Sequence, residues 1–321
     1  MRKTPILTIG LLFCAGMTAG QHEDERYVRE TDPLVLKNLD HWQDIKFGLL
    51  MHWGPYSHWG VVESWPICSE DENWCRRRLW NYVEYKKEYE TLKKTFNPVS
   101  FDPSKWAKAA HDAGMKYVVF TTKHHDGFCM FDSKYTDYKV TSQECPFHAN
   151  PRANVTKEVF DAFRQEGFLV GAYFSKPDWN SEYYWWPNFA TPDRNVNYDP
   201  ERYPNRWNKF VSFTHNQILE LMSEYGRIDI LWLDGGWVAK KSKGDIQRAY
   251  LSQISQSGSG FIKSRIINQD IRMDELVAKC RQQQPGLIVV DRAVYGRRRF
   301  AWTPICPPRT RVSLCWEAVP A

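Results

Sequence analysis

Three times along this chain a helical pattern runs into a glycine and then into a short apolar run, and no other feature restricts its fold as much. In the first unit Pro103 opens a helix in which Trp106, Ala109, Ala110 and Ala113 recur at helical spacing; Gly114 stops it, and Tyr117 to Thr121 reads as a buried strand. In the second, a helix from Val155 to Gln165 is stopped by Gly167 and followed by the strand Phe168 to Phe174. In the third, a helix from about Asn205 to Tyr225 ends at Gly226, and the run Ile228 to Asp234 follows. Short apolar strands separated by helices predict a parallel α/β sheet with crossover helices on its face.

The pattern extends in both directions. After a polar opening segment, Ile45 to Gly54 is the first strand candidate, closing in His52-Trp53-Gly54. Ile266 to Asn268 and Leu287 to Asp291 are two more, with a helix Met273 to Gln283 between them, which makes six strands. A helix around Leu79 to Lys94 is rich in Lys and Glu and reads as a solvated face, while the small residues Ser255 to Gly260 read as a mobile loop. At 321 residues the chain is long enough for one large α/β barrel, and 42% hydrophobic with 25% charged residues suits a globular core.

The net charge of +5 is concentrated at the two ends, in Arg2 and Lys3 and in five arginines after position 296. The body is close to neutral, so there is no basic face to hold a phosphate backbone and nucleic acid is not an expected partner. Residues 1–20 have the form of an export signal: Arg2 and Lys3, an apolar run from Ile6 to Ala15, then Thr18, Ala19 and Gly20. A periplasmic or secreted protein is expected, with no membrane association once the signal is removed, because no later run is apolar enough to span a bilayer. The cysteines show no zinc-ligand spacing, and neither a metal nor another cofactor is expected.

In a parallel barrel the chemistry sits at the carboxyl ends of the strands. His52, His124, His125, Tyr173, Asp234 and Arg292 all fall at or just past the end of an apolar run, and Gly235-Gly236 turns the chain abruptly after Asp234. Aromatic residues crowd the same loops: Trp53, Trp65, Trp179, Trp185, Trp186, Trp237, Tyr183 and Tyr184; Trp106 and Trp207, within helices, are expected to be packing. A sugar presents apolar C–H faces and hydroxyl edges, so aromatic platforms beside His, Arg and carboxylate groups describe a carbohydrate pocket.

His52-Trp53-Gly54, the segment Phe96 to Asp102, Lys123 to Phe128 and Trp232 to Gly236 together resemble the α-L-fucosidases of glycoside hydrolase family 29, over about Asp40 to Arg292. The resemblance implies a retaining exo-glycosidase on a (β/α)8-like barrel, acting on terminal fucose of a fucosylated glycan. It implies Asp234 as nucleophile, His52, His124, His125, Tyr173 and Arg292 as fucose-binding residues, and Glu63 with Trp65 as a pocket element interrupted by Ser64. The family's Tyr-Glu-Asn-Tyr-like segment, which follows the strand ending at Asp291, is replaced here by Gly296-Arg297-Arg298-Arg299-Phe300. The expected organisation is therefore a catalytic barrel over 21–296, lacking its last strands, followed by an aberrant tail over 297–321. The alternative is a non-catalytic fucose-binding remnant or inactive fragment without a general acid/base. A metal-dependent hydrolase using His124, His125 and Asp126 is a third reading.

Overall fold

The computed structural model describes residues 30–68, 75, 81–257 and 265–291. What reads as a polar opening is a helix, α1 (Pro33–Ile45). Asp32 starts it: one carboxylate oxygen accepts the amides of Leu34 and Val35 at 2.8 and 3.2 Å, two donors that a helix start otherwise leaves unpaired. The chain continues through β1 (Gly48–Met51), α2 (Tyr56–Trp59), α3 (Tyr82–Glu90), α4 (Pro103–Asp112), β2 (Tyr117–Lys123), α5 (Val155–Gln165), β3 (Leu169–Ser175), α6 (Pro204–Glu224), β4 (Ile230–Asp234), α7 (Lys243–Ser257), α8 (Met273–Gln283) and β5 (Ile288–Asp291).

The strands form one parallel sheet in the order β1-β2-β3-β4-β5. Spatial order equals sequence order, so every crossover carries at least one helix and all five carboxyl ends lie along one edge. Side chains alternate across this sheet. Val118 and Phe120 of β2, Val170, Ala172 and Phe174 of β3, and Leu231 and Leu233 of β4 pack into the largest core, against Val159, Phe160 and Phe163 of α5 and Ile218 and Leu221 of α6. Phe160 and Phe163 are fully buried, which stabilises the fold by about 1.5–3 kcal/mol each. Val119, Tyr173, Ile230, Ile288 and Val290 meet Leu39 and Trp42 of α1 in a second cluster. A third, mostly aromatic cluster joins Tyr56 of α2 and Ile67, Trp179, Tyr184 and Trp185 from the connections after the strands to Tyr85 and Tyr89 of α3. It therefore packs the loops that follow the strands as tightly as a core.

Among the described residues five strands are present where six were expected. Ile266 to Asn268 is irregular because side chains satisfy its backbone: Tyr250 Oη accepts the Ile266 amide at 2.9 Å, and Lys241 Nζ donates to the Ile267 carbonyl at 3.1 Å. Ser255 to Ser257 belong to α7 rather than to a loop, and Gly258 to Gly260 lie outside the described residues. A reciprocal cap starts α7, with Ser242 Oγ accepting the Asp245 amide and Asp245 Oδ2 accepting the Ser242 amide. The Lys/Glu-rich segment is also not simply a solvated face, since Tyr85 and Tyr89 of α3 are completely buried. Among the described residues, β1 pairs only with β2 and β5 only with β4.

Candidate active site

Asp234 is the last residue of β4. Tyr173, facing the same side from β3, donates its hydroxyl hydrogen to Asp234 Oδ2 at 2.7 Å and lies 3.2 Å from Ser175 Oγ. His125 Nε2 stands 3.9 Å from the same carboxylate oxygen. The chain can leave the strand here only through glycine: Gly235 has φ +83°, and a Cβ on it would come within 2.2 Å of Pro177 Cδ.

His124 and His125 are consecutive, so a regular strand would send them to opposite faces. The β2–β3 register shifts between Thr121 and Lys123, and past that irregularity the two rings lie side by side with centroids 4.3 Å apart. Lys123 takes the other direction. Its ammonium is fully buried over the Phe174 ring and is held by Asp178 Oδ2 at 3.0 Å and Gln217 Oε1 at 3.1 Å. Asp178 in turn accepts the amides of Asn180 and Ser181 at 3.1 and 2.8 Å and so fixes the turn that carries Trp179.

His52 follows β1, and Glu63 reaches it from the loop after α2. Glu63 has φ +50°, a left-handed conformation that costs a non-glycine residue about 1 kcal/mol or more. That backbone sets its carboxylate between two imidazoles, 3.7 Å from His52 Nε2 and 3.1 Å from His124 Nε2. On its far side His124 Nδ1 lies 2.5 Å from Ser64 Oγ. Ser64 is thus a fixing contact rather than an interruption between Glu63 and Trp65.

Trp65 meets His125 edge-on at 4.9 Å, Trp179 at 5.8 Å and Trp237 at 5.8 Å, while Trp237 stands 5.1 Å from His125. Arg194 ties this wall together. Its carbonyl accepts hydrogen bonds from Trp179 Nε1 (3.2 Å), Tyr184 Oη (3.0 Å) and Trp237 Nε1 (3.2 Å), and its guanidinium lies over the rings of Trp65 and Trp237 at 5.1 and 5.4 Å. Sequence reasoning missed Arg194, because it sits in an irregular loop far from any strand end. Trp53 departs from its expected place: it stacks on Phe101 and meets Trp106 edge-on, in the main core. Trp185 lies flat against Trp179 as backing, and Trp207 is buried packing as expected.

Burial works to raise the Glu63 carboxyl, but the contact with His124 and the charges of His124 and His52 outweigh it and hold the group below its ordinary value. Burial, helped by the neighbouring His124, pushes His125 well below the usual histidine range, and both of its ring nitrogens are buried without a hydrogen-bond partner. Burial, then the Asp234 charge, pushes Tyr173 well up, so it stays a hydroxyl donor. Asp126 is apart from the site: it accepts from Tyr89 Oη at 2.7 Å and the Phe128 amide at 3.2 Å, and burial pushes it up to about 6.

His52, Glu63, Trp65, His124, His125, Tyr173, Asp234 and Trp237 are therefore brought together, while Arg292 lies outside the described residues. Among the described residues two overlapping sets could hold a cation, His52 with Glu63 and His124, and His124 with His125 and Asp234; within each set the ligand atoms lie within 4.8 Å of one another.

A family model described as Alpha-L-fucosidase matches residues 14–313. Alpha-L-fucosidase 1 of Arabidopsis thaliana is 32% identical over 140 residues, 44% of this chain and 23% of that protein. Plasma alpha-L-fucosidase of Homo sapiens is 28% identical over 223 residues, 67% of this chain and 43% of that protein. Among solved structures, alpha-L-fucosidase isoenzyme 1 from Paenibacillus thiaminolyticus superposes with a TM-score of 0.56 at 32% identity, covering 80% of this chain and 50% of that one. A glycoside hydrolase family 29 alpha-L-fucosidase from Bacteroides thetaiotaomicron, trapped as a covalent intermediate with 2-fluoro-fucosyl fluoride, gives 0.55 at 25% identity, covering 85% and 52%. The chain spans about half or less of the length of these relatives.

Proposed function

Since the chain belongs to the alpha-L-fucosidase family, glycoside hydrolase family 29, we propose that it is a retaining exo-glycosidase that releases terminal α-L-fucose from glycans, with Asp234 as nucleophile. The observation that carries this reading is the Asp234 carboxylate at the end of β4, oriented by a 2.7 Å hydrogen bond from Tyr173 and facing His125. A retaining glycosidase needs a carboxylate that attacks the anomeric carbon, and a second carboxyl group roughly 5 Å away that protonates the leaving oxygen and later activates water. The Tyr173 hydrogen bond to Oδ2 fixes the orientation of the carboxylate that would form the covalent bond.

Fucose would lie against Trp65 and Trp237, its hydroxyls reaching His52 and Glu63, with the buried His124, His125 and Trp179 directly behind them. At the end of β5, on the same edge, the buried Lys176 ammonium holds Asp291 at 2.5 Å. Glu63 does not suit the general-acid role: an acid must be protonated at working pH, and Glu63 is held ionised by two histidines. In this reading it accepts hydrogen bonds from sugar hydroxyls. In this reading the five strands are the first part of a (β/α)8-like barrel, and the protein is exported to the periplasm or secreted.

Release of p-nitrophenol from p-nitrophenyl α-L-fucoside tests the reading, because that leaving group needs little protonation. Turnover, in buffer with or without EDTA, supports it. A folded protein that binds fucose without turnover would establish the non-catalytic alternative.

A further inference from the structure

We propose that His52, Glu63 and His124 form a binding site for a divalent cation of the zinc class, and that the cation and the sugar exclude one another. The three side chains come from three separate segments and converge on one point. Glu63 Oε1 lies 3.7 Å from His52 Nε2, Glu63 Oε2 lies 3.1 Å from His124 Nε2, and all three ligand atoms fall within 4.8 Å of one another. Two imidazole nitrogens and a carboxylate are a donor set that zinc takes with bonds of about 2.0–2.2 Å, which places tetrahedral ligand atoms about 3.4 Å apart. The two carboxylate–imidazole distances lie on either side of that value, one to each Glu63 oxygen, and no pair of ligand atoms is more than 4.8 Å apart.

Two further observations point to a ligand at this place. First, His124 Nε2 is buried and faces the Glu63 carboxylate at 3.1 Å, so an imidazole and a carboxylate already meet at the point a cation would occupy. Its Nδ1 is engaged by Ser64 Oγ at 2.5 Å, which presents Nε2 to the pocket. A metal-bound histidine is held in the same way, by a hydrogen bond on its far nitrogen that fixes tautomer and ring orientation. Second, Glu63 is held with φ +50°, a backbone state that keeps its carboxylate between the two rings. His52 and Glu63 remain partly open, at 20% and 29% side-chain exposure, leaving room for a water or chloride as fourth ligand.

Cation binding stands on this geometry alone; exclusion of the sugar rests on the fucosidase reading, in which His52 and Glu63 face the fucose hydroxyls and His124 lies directly behind them. The full chain is titrated with Co2+ as the spectroscopic probe and with Zn2+ by calorimetry. The expected result is one site per chain, the visible absorption of tetrahedral or five-coordinate cobalt, and displacement of cobalt by zinc. Glu63→Gln and His52→Gln, each shown to be folded by circular dichroism, should remove the signal. Ser64→Ala should weaken affinity about 10-fold or more. Signals that survive both Gln variants but vanish in Asp234→Asn would move the cation to His124, His125 and Asp234 and overturn the assignment. Weak uptake unaffected by any pocket variant would overturn the site altogether. Zinc should also inhibit p-nitrophenyl fucoside hydrolysis competitively, with EDTA restoring the rate. If cobalt binds at the assigned residues but L-fucose does not weaken it, the cation site stands, mutual exclusion is refuted, and fucose binding measured on the metal-free chain decides the fucosidase reading separately.

Discussion

Lys123→Met tests how the site is held from behind. The Lys123 side chain has 0% exposure and Asp178 3%, their charged atoms are 3.0 Å apart, and the substitution also removes the 3.1 Å contact to Gln217. Met is close in volume, so little cavity forms, and the loss is electrostatic: Asp178 is left as a buried charge without its partner. Breaking a buried pair in this way costs about 3–5 kcal/mol. In a domain of this size each kcal/mol moves Tm by about 2–4 °C, so a fall of about 6–20 °C is expected by calorimetry. Lys123→Met with Asp178→Asn should recover most of it, because an Asn oxygen can still accept the Asn180 and Ser181 amides while no charge remains. Activity should fall more than stability accounts for, since the same turn seats Trp179 against His125 with ring centroids 5.0 Å apart. A Tm drop under about 2 °C for Lys123→Met, or a double variant no better than the single, would refute the reasoning.

Asp234→Ala should abolish hydrolysis while fucose binding, followed by calorimetry, survives; residual turnover would remove Asp234 as nucleophile. Tyr173→Phe deletes a hydrogen bond to a charged group worth about 1.5–3 kcal/mol, so kcat/KM should drop about 10- to 150-fold with little change in Tm; an unchanged rate would show that Tyr173 only packs. Asp126→Asn should stabilise the protein above pH 6 but not near pH 4. The folded carboxyl is pushed from 3.8 up to about 6, so the stability it contributes is full below 3.8 and is lost as pH rises through about 6, a loss that a neutral Asn avoids. Urea midpoints at pH 4 and pH 8 measure this, and equal shifts at both would contradict it.

Much of this molecule is legible as local pattern. The helix Val155–Gln165 falls where apolar spacing and Gly167 place it, Met273–Gln283 falls between its two apolar runs, and each of the three helix-glycine-strand units forms as read. Local pattern was silent where helices begin in polar residues. The Asp32-Pro33 start of α1 and the Ser242–Asp245 cap of α7 are helix signals written in polar residues, and hydrophobic periodicity passes over them. Ile266 to Asn268 looked like a strand because three residues cannot show whether a neighbouring strand or the side chains of Tyr250 and Lys241 will take their backbone groups.

By itself the sequence determined which residues could do chemistry, because an acid, a tyrosine or a histidine at the end of an apolar strand has only one edge of a parallel sheet to occupy. That is a consequence of short-range periodicity and chain direction. Only the tertiary structure decided which way each of those side chains turns and what touches it: Lys123 into the core and His124 into the pocket, Trp53 into packing, Ser64 onto His124, and the Arg194 carbonyl under three pocket aromatics. These choices depend on register shifts, left-handed residues such as Glu63, and contacts between segments far apart in the chain, and no local pattern carries that information.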